Sequence, residues 1–239
     1  MPQPIRLHAC ILEIIDHAPG LRTFILEPER PVPRFRPGQF LHLAMDSYDP
    51  SQHWPESRIF SIASPAEQRD RLRITVSAVG RFTRRMMTLR PKDEVWLKLP
   101  YGDFVVESVS DRTTVLVAGG TGITPFVSLV SSTSHQLPRI VLLYGARTPD
   151  LLIYRDILEQ VARQNPTFHW VPFVEQGEWP GARPGRLSAK AAMEAAGQWG
   201  DPARATYYLS GPPAMLSALK GDLIDAGMSV ESIRIDAWE

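Results

Sequence analysis

A strand-like apolar run that ends in clustered glycines constrains this chain more than any other stretch. Residues 115–126 read Val-Leu-Val-Ala-Gly-Gly-Thr-Gly-Ile-Thr-Pro-Phe. Thr124 is a favourable N-cap and Pro125 a favourable first residue for the helix that follows. Glycines let an anion approach the main chain, and the N-terminus of a helix attracts negative charge. The pattern predicts a pyrophosphate cradle formed by Gly119, Gly120, Thr121 and Gly122.

Two features of this run keep a plainer interpretation open. Its spacing, Gly-Gly-x-Gly, differs from the Gly-x-Gly-x-x-Gly of common dinucleotide-binding folds. Three glycines alone also suit an ordinary tight connection between a strand and a helix. The rest of the chain has to decide between a binding loop and a simple turn.

Composition and length narrow the classes of function. The 239 residues carry 26 basic and 26 acidic side chains, and this net charge of zero gives no electrostatic support for nucleic-acid binding. No apolar run approaches the roughly 20 residues that span a bilayer, so we expect no membrane insertion. The N-terminal Met-Pro-Gln-Pro lacks the apolar core of a signal peptide, and we therefore expect a cytoplasmic protein.

Cysteine and histidine usage argues against metal chemistry in this chain. The single cysteine, Cys10, excludes a disulfide within one chain and an iron–sulfur cluster that this chain holds by itself. The six histidines include no pair at metal-ligand spacing. We therefore predict no metal site.

The first 108 residues contain six predicted strands, separated by connections rich in proline and glycine. Short strands at this spacing are typical of a small antiparallel barrel. We expect an N-terminal six-stranded β-barrel domain. The predicted strands cover residues 5–14, 21–26, 39–45, 58–63, 72–79 and 94–97.

The pattern changes after residue 108, where apolar runs alternate with helical stretches. Such alternation predicts an α/β domain, here with five parallel strands covered by helices on both faces. The runs lie at 114–118, 140–144, 168–174, 207–210 and 233–235, and the helical stretches at 125–133, 150–165, 188–196 and 213–226. We therefore place two domains at 1–108 and 109–239.

Two segments of the first domain are suited to hold a phosphorylated ligand. Residues 58–64 read Arg-Ile-Phe-Ser-Ile-Ala-Ser, in which an arginine suits a phosphate and a hydroxyl suits a ring nitrogen. Residues 80–83 read Gly-Arg-Phe-Thr and are predicted to open a short helix over 83–89 that directs N–H groups at a phosphate. Taken singly, a strand with a surface arginine and a capped helix start explain them equally well.

Further motifs follow in order along the chain. They are Leu-Pro-Tyr-Gly-Asp-Phe at 99–104, the glycine run, Tyr-Gly-Ala-Arg at 144–147, Ser-Gly-Pro-Pro-Ala-Met at 210–215 and Asp-Ala-Trp at 236–238. Together with the two earlier segments, they resemble the ferredoxin–NADP⁺ reductase superfamily over essentially the whole chain. The sequence departs from the family pattern at Phe60, where tyrosine is usual, at Leu99, where glycine is usual, and at Ser210, where cysteine is usual.

The resemblance implies a stand-alone flavin and NAD(P)H reductase without an iron–sulfur domain. It favours FAD over FMN in the barrel, and it implies that FAD and NAD(P)H meet where the domains adjoin. Ser61 is expected beside the reactive edge of the flavin, Ser210 beside the nicotinamide and Trp238 over the ring face. The catalytic candidates are thus Ser61, Ser210, Asp236 and Trp238.

The resemblance also divides the binding residues between the two ligands. It gives the flavin phosphates to Arg58 and Thr83 and the pyrophosphate of NAD(P)H to the glycine run. The implied flavin residues are Arg58, Ile59, Phe60, Ser61, Ser64, Gly80, Phe82 and Thr83. The implied nucleotide residues are Gly119, Gly120, Thr121, Gly122, Thr124, Pro125, Arg147, Arg186, Gly211, Pro212, Met215 and Trp238.

Two questions stay open at the level of sequence. Arg147 and Arg186 favour NADPH because either could bind a 2′-phosphate. Glu175 and Glu178, near the third strand, favour NADH, and Trp179-Pro-Gly resembles the corresponding segment of NADH-using oxygenase reductases. The electron acceptor is expected to be a separate redox protein such as a ferredoxin, a flavodoxin or an oxygenase component. The alternatives are a small acceptor (free flavin, a ferric chelate or a quinone) and a non-catalytic flavin-binding subunit.

Overall fold

The computed structural model describes residues 3–106, 112–132 and 139–236. The chain divides into two compact units, Met1–Val105 and Val106–Glu239. The domain boundary that we predict between residues 108 and 109 lies outside the described residues and stays a prediction. Within the described residues, no helix has the length and apolar character needed to cross a membrane. In the same residues, no group of three or more His, Cys, Asp or Glu side chains is placed to hold a metal ion.

The first unit is an antiparallel sheet of six strands with the order β4-β3-β6-β1-β2-β5, which confirms the predicted barrel. Side chains on alternate positions of each strand point inward and form one apolar core, with Leu7, Phe24, Leu41 and Ile74 almost fully buried. The strands are β1 Ile5–Ala18, β2 Leu21–Pro28, β3 Phe40–Ala44, β4 Ser57–Ser61, β5 Leu72–Ser77 and β6 Glu94–Tyr101.

Hydrogen bonds join the two outer strands of this sheet. The Ala63 N–H donates to the Arg73 carbonyl over 2.8 Å, and the Arg73 N–H donates to Ser64 Oγ over 3.3 Å. These bonds connect the residues that follow β4 to β5 and thereby draw the sheet into a barrel. Ser64 is 1% exposed and acts here as part of the fold.

A short helix, α1 (Arg81–Met86), follows β5. It begins two residues before the predicted start, because Gly80 is the N-cap and Thr83 is the third helical residue. Thr83 Oγ1 accepts hydrogen bonds from the N–H groups of Val79 and Gly80, each over 3.0 Å. The side chain thus satisfies backbone donors just before the helix, which is how a capping box stabilises a helix start.

The second unit contains a parallel sheet with the order β10-β9-β8-β7-β11-β12. Its central strands are apolar and buried, as expected when helices cover both faces. The strands are β7 Thr114–Gly119, β8 Ile140–Ala146, β9 Phe168–Val174, β10 Arg183–Pro184, β11 Thr206–Ser210 and β12 Ile233–Ile235. The helices are α2 Thr124–Ser132, α3 Arg155–Gln164, α4 Ala189–Gly197 and α5 Pro213–Asp225.

Two details differ from the sequence prediction. The sheet has six strands where we predict five, because the exposed pair Arg183–Pro184 joins β9 as a strand too short and polar to leave a pattern. The helix predicted to begin at Asp150 begins at Arg155 instead. A separate turn of 3₁₀-helix covers Pro149–Leu151, and Tyr154 has a φ of 62°, which interrupts the helix.

Candidate functional site

The glycine run lies at the carboxyl end of β7, at the edge where parallel sheets bind ligands. A 3₁₀ turn over Gly120–Ile123 comes first, and α2 continues from Thr124. Thr124 is therefore already helical and is not the N-cap, and its hydroxyl donates to the Thr121 carbonyl over 2.9 Å. The 3₁₀ turn has Gly119 as its N-cap and therefore follows the strand directly.

Two of the three glycines are required by packing against the loop that follows β11. A Cβ atom on Gly122 would lie 2.3 Å from the Ser210 carbonyl oxygen, and one on Gly119 would lie 2.6 Å from Met215 Sδ. Gly120 differs: its φ is 54°, and a Cβ there would meet nothing within 4 Å. Only Gly120 therefore borders open space, where a ligand can approach its backbone.

Ser210 and Asp236 form a buried polar pair in the second unit. The Ser210 hydroxyl donates to Asp236 Oδ2 over 2.8 Å, and the two residues are 1% and 3% exposed. The Asp236 N–H also donates to the Leu209 carbonyl over 2.9 Å, which fixes the carboxylate beside β11. Two of the four predicted catalytic residues are thus in direct contact. Trp238 lies outside the described residues.

The loop after β11 closes against the glycine run. Gly211 has a φ of 151°, and a Cβ on it would lie 3.1 Å from Gly119 Cα. The same Cβ would lie 2.6 Å from Met215 Cε, so Met215 packs over both glycines. The predicted residues Gly211, Pro212 and Met215 therefore form one unit with the glycine loop.

The charged residues that are predicted to bear on the choice of nucleotide lie at or beyond the ends of β8 and β9. Glu175 follows β9 and its N–H donates to the Ala146 carbonyl over 3.2 Å. Arg186 Nε lies 2.9 Å from Glu175 Oε2. Arg147 is exposed, and its carbonyl accepts a hydrogen bond from the Gln176 N–H over 2.8 Å. The structure thus brings Arg147, Glu175 and Arg186 to one edge of the sheet.

Two contacts that sequence reasoning missed shape this edge. The hydroxyl of the fully buried Tyr144 donates to the Leu151 carbonyl and accepts from the Ile153 N–H, each over 3.2 Å. Burial raises the pKa of the Tyr144 hydroxyl well above its ordinary range. The Arg155 guanidinium stacks 4.5 Å from the centre of the Trp179 ring. Tyr144 opens the motif at 144–147 that the sequence analysis identified, but its residue type does not reveal the contacts of its hydroxyl.

The predicted phosphate site of the first unit combines an arginine with an aromatic ring. The Arg58 guanidinium lies 5.1 Å from the centre of the Phe82 ring and 2.9 Å from Glu56 Oε1. Arg81 shares the same carboxylate, at 3.3 Å from Glu56 Oε2. A Cβ on Gly80 would meet nothing within 4 Å. Both guanidinium groups are exposed and share the Glu56 carboxylate, whereas the Thr83 hydroxyl bonds to the backbone.

The β4 residues divide between the two faces of the barrel. Phe60 packs against the core, and Ser61, which is 9% exposed, pairs with Phe40 across the sheet. Phe40 pairs in turn with Tyr101, so Ser61, Phe40 and Tyr101 form one row on the same face. Ile59 lies in the next row of that face, opposite His42.

An aromatic cluster next to Ser61 was not predicted. The Phe40 and Tyr101 rings stack with centroids 5.8 Å apart, and His42 meets Tyr101 edge-on at 4.9 Å. Burial, and secondarily the charge of Lys98, lowers the pKa of the His42 imidazole. The alternation of Phe40 and His42 in the sequence is the signal that could have found this cluster.

Known proteins share sequence similarity with this chain, most of all in the second unit. A family model described as an oxidoreductase NAD-binding domain matches residues 116–221. The reductase component of phenol 2-monooxygenase from Pseudomonas sp. strain CF600 is 29% identical over 214 residues, which are 86% of this chain and 58% of that protein. The chain thus spans less than two thirds of this relative's length.

Two solved structures superpose on nearly the whole chain. The cytochrome P450 reductase GcoB from Amycolatopsis matches with a TM-score of 0.80 and 26% identity, over 98% of this chain and 69% of that one. A ferredoxin–NADP⁺ reductase from Neisseria gonorrhoeae, solved with bound FAD and NADP, matches with a TM-score of 0.81 and 22% identity, over 97% of this chain and 98% of that one.

The features that support this comparison are the antiparallel barrel, the parallel sheet and the matched NAD-binding region. In sequence and fold, the chain is similar to these reductases.

Proposed function

We propose that this chain is an FAD-dependent NAD(P)H oxidoreductase that passes electrons to a separate redox protein. The observation that carries this proposal is the contact between the glycine loop and the loop that begins at Ser210. This contact brings the glycine run next to the buried pair of Ser210 and Asp236. Such a combination suits an enzyme that holds a dinucleotide by its pyrophosphate and aligns its reactive ring.

The residues of the second unit fit a nicotinamide dinucleotide. Open space beside Gly120 admits a pyrophosphate to the backbone N–H groups at the start of the helical turn. Gly119 and Gly122 hold that turn against the loop after β11. Ser210 and Asp236 would orient the nicotinamide, because their mutual hydrogen bond keeps both polar groups in place in a buried setting.

The residues of the first unit fit a flavin. Arg58, with its exposed guanidinium above Phe82, would bind a flavin phosphate, and the space beside Gly80 leaves room for it. Ser61 would contact the edge of the ring system. FAD, when bound, accepts a hydride from NAD(P)H and releases the electrons singly.

A redox protein is the acceptor that the relatives support, since the Pseudomonas match is the reductase component of a phenol 2-monooxygenase. The exposed Arg81 and Arg84 on α1 offer a positive surface for an acidic partner. An oxygenase component, a ferredoxin or a flavodoxin would each supply such a partner.

Spectroscopy of the purified chain tests the proposal. We expect flavin absorption bands at about 370 and 450 nm and their bleaching by NAD(P)H without oxygen. Stopped-flow mixing with NADH and with NADPH measures the hydride step directly. A colourless chain that binds neither added FAD nor added FMN would refute the proposal.

A small acceptor is the second candidate, and the net charge of zero favours it because strong steering toward an acidic protein needs excess positive charge. Salt dependence separates the two candidates. Reduction of an acidic redox protein that is fast at low salt and falls steeply with ionic strength supports the protein acceptor. The small acceptor is supported if ferric chelate or quinone is reduced faster than the acidic redox protein at every salt concentration.

A further inference from the structure

One carboxylate bridges two arginines in the first unit. Glu56 directly precedes β4, and its Oε1 atom lies 2.9 Å from Arg58 Nη2. Its Oε2 atom lies 3.3 Å from Nη2 of Arg81, the first residue of α1. Within the residues that the structure describes, Glu56 is the only carboxylate that forms an ion pair with either arginine. Each carboxylate oxygen thus meets a different guanidinium group, as two oxygens of one phosphate could.

Two further contacts hold the Arg58 guanidinium in place without Glu56. Arg58 Nη1 donates to the Ser57 carbonyl over 2.8 Å, and the guanidinium lies 5.1 Å from the centre of the Phe82 ring. Neither contact involves a negative charge that a phosphate would have to replace. Arg58 therefore does not depend on the Glu56 carboxylate for its position, and the carboxylate needs another explanation.

The bridge is exposed enough to be exchanged for another anion. The exposed fractions of the side chains are 42% for Glu56, 52% for Arg58 and 89% for Arg81. Ion pairs at such exposure are weak, because water and salt screen them. A phosphate offers an arginine more negative charge and more acceptor oxygens than a carboxylate does, so it can take over the same guanidinium donors.

We propose that Glu56 is an internal competitor of the flavin phosphate for Arg58 and Arg81, an inference that rests on the proposed function. Two guanidinium charges and one carboxylate charge sum to +1, whereas the arginines alone would carry +2. Flavin binding exchanges one anion for another at this bridge, and Glu56 keeps the affinity for a phosphorylated flavin below what the two arginines alone would give. A flavin that lacks a phosphate does not compete with Glu56.

Fluorescence titration of the full-length apoprotein with FAD and with riboflavin tests the inference without turnover. The substitution Glu56→Gln removes the charge but keeps the size of the side chain, and it should tighten FAD binding at least about threefold. Riboflavin, which has no phosphate, should bind the wild type and the variant equally. FAD affinity should also fall more steeply with ionic strength in the variant, because its site carries the larger positive charge.

Asp46→Asn is the matched control. Asp46 lies in the same connection between β3 and β4, is about as exposed as Glu56, and pairs with Arg85 of α1 at 2.5 Å. Its substitution changes the net charge equally but leaves the bridge between Glu56, Arg58 and Arg81 intact. We therefore expect the affinity of Asp46→Asn for FAD to equal that of the wild type.

Three results would overturn the inference. Unchanged or weaker FAD binding in Glu56→Gln would mean that the carboxylate does not compete with the phosphate. An equal gain in Asp46→Asn would assign the effect to net charge, and an equal gain for riboflavin would assign it to the shape of the pocket. If the wild type and Glu56→Gln bind neither FAD nor riboflavin, the proposed function itself fails, which is a separate and recognisable outcome.

Discussion

The two loops predicted to bind phosphate use the same residue types for different purposes. In the first unit, Gly80 borders open space, and the Thr83 hydroxyl accepts two backbone N–H groups. In the second unit, Gly119 and Gly122 are packed against the loop after β11, and only Gly120 borders open space. A glycine followed by a hydroxyl and a helix therefore does not by itself distinguish a ligand cradle from a packed corner.

The difference lies in what surrounds each loop. The barrel loop is a surface turn before a helix of six residues, and the Thr83 hydroxyl in it accepts hydrogen bonds from the backbone N–H groups of Val79 and Gly80. The glycine run lies beside two buried parallel strands, where the backbones of neighbouring loops must approach closely. We therefore expect an added methyl group to affect ligand affinity at Gly80 and folding at Gly122.

The largest effect should come from Gly122→Ala. The added Cβ would meet the Ser210 carbonyl group at 2.3 Å, and both partners are backbone, so neither can move aside easily. We expect the free energy of unfolding of the second unit to fall by about 3 kcal/mol or more. Pulse proteolysis in urea, with fragments assigned to each unit, measures this change for the two units separately.

Gly80→Ala is the counterpart in the barrel, where a Cβ meets nothing and the φ of −121° suits any residue. Its effect on the free energy of unfolding should stay below about 1 kcal/mol, while the affinity for FAD falls. Equal destabilisation by Gly80→Ala and Gly122→Ala would show that the two loops do not differ in the way described.

Ser210→Ala should give the next largest effect. It removes a hydroxyl donor from a carboxylate that is 3% exposed, which should cost about 1–3 kcal/mol of stability in the second unit. Asp236→Asn keeps an acceptor for the hydroxyl and should cost less. A double-mutant cycle measured by urea unfolding should give a clear coupling energy, whereas purely additive effects would mean that the 2.8 Å contact contributes nothing.

The fold could be predicted further from the sequence than the site could. Strand spacing identified the barrel, and the run of apolar strands and helices identified the parallel sheet, because each depends on a repeated hydrophobic pattern. β10 was missed because the exposed pair Arg183–Pro184 becomes a strand through its pairing with β9 and has no apolar pattern of its own. Tertiary contacts leave no local pattern of that kind.

In the site, the order of the motifs predicted which segments are involved, but it did not reveal the contacts that each side chain makes. Ser210 and Asp236 are 26 residues apart in sequence, and only the pairing of β11 with β12 brings them together. The hydroxyls of Ser64 and Thr83 bond to the backbone, which their residue types alone do not reveal. The ion pair between Glu175 and Arg186 likewise depends on β10.

A smaller effect is expected from Thr83→Val, compared with Arg58→Gln in the same site. The valine variant loses the capping hydrogen bonds to Val79 and Gly80 and should lower the stability of the barrel by about 1 kcal/mol. The glutamine variant removes an exposed guanidinium and should leave stability nearly unchanged, while weakening FAD binding about tenfold. Fluorescence titration of the apoprotein with FAD measures the affinities. A larger loss of FAD affinity in Thr83→Val than in Arg58→Gln would indicate that Thr83, and not Arg58, makes the phosphate contact.

The smallest effect concerns pH and again separates the two units. Burial and Lys98 lower the pKa of His42 in the folded barrel, so the unfolded chain binds a proton more readily. The barrel should therefore lose stability as the pH falls below the ordinary histidine pKa of about 6.5, and His42→Gln should remove part of this loss. In the second unit, burial raises the pKa of Tyr207 to about 12, so its contribution is lost only as the pH rises above the ordinary tyrosine value of about 10. Pulse proteolysis at pH 5, 6 and 7.5 measures the stability of both units. If the barrel loses the same stability at low pH in the wild type and in His42→Gln, His42 is excluded as the source of that loss.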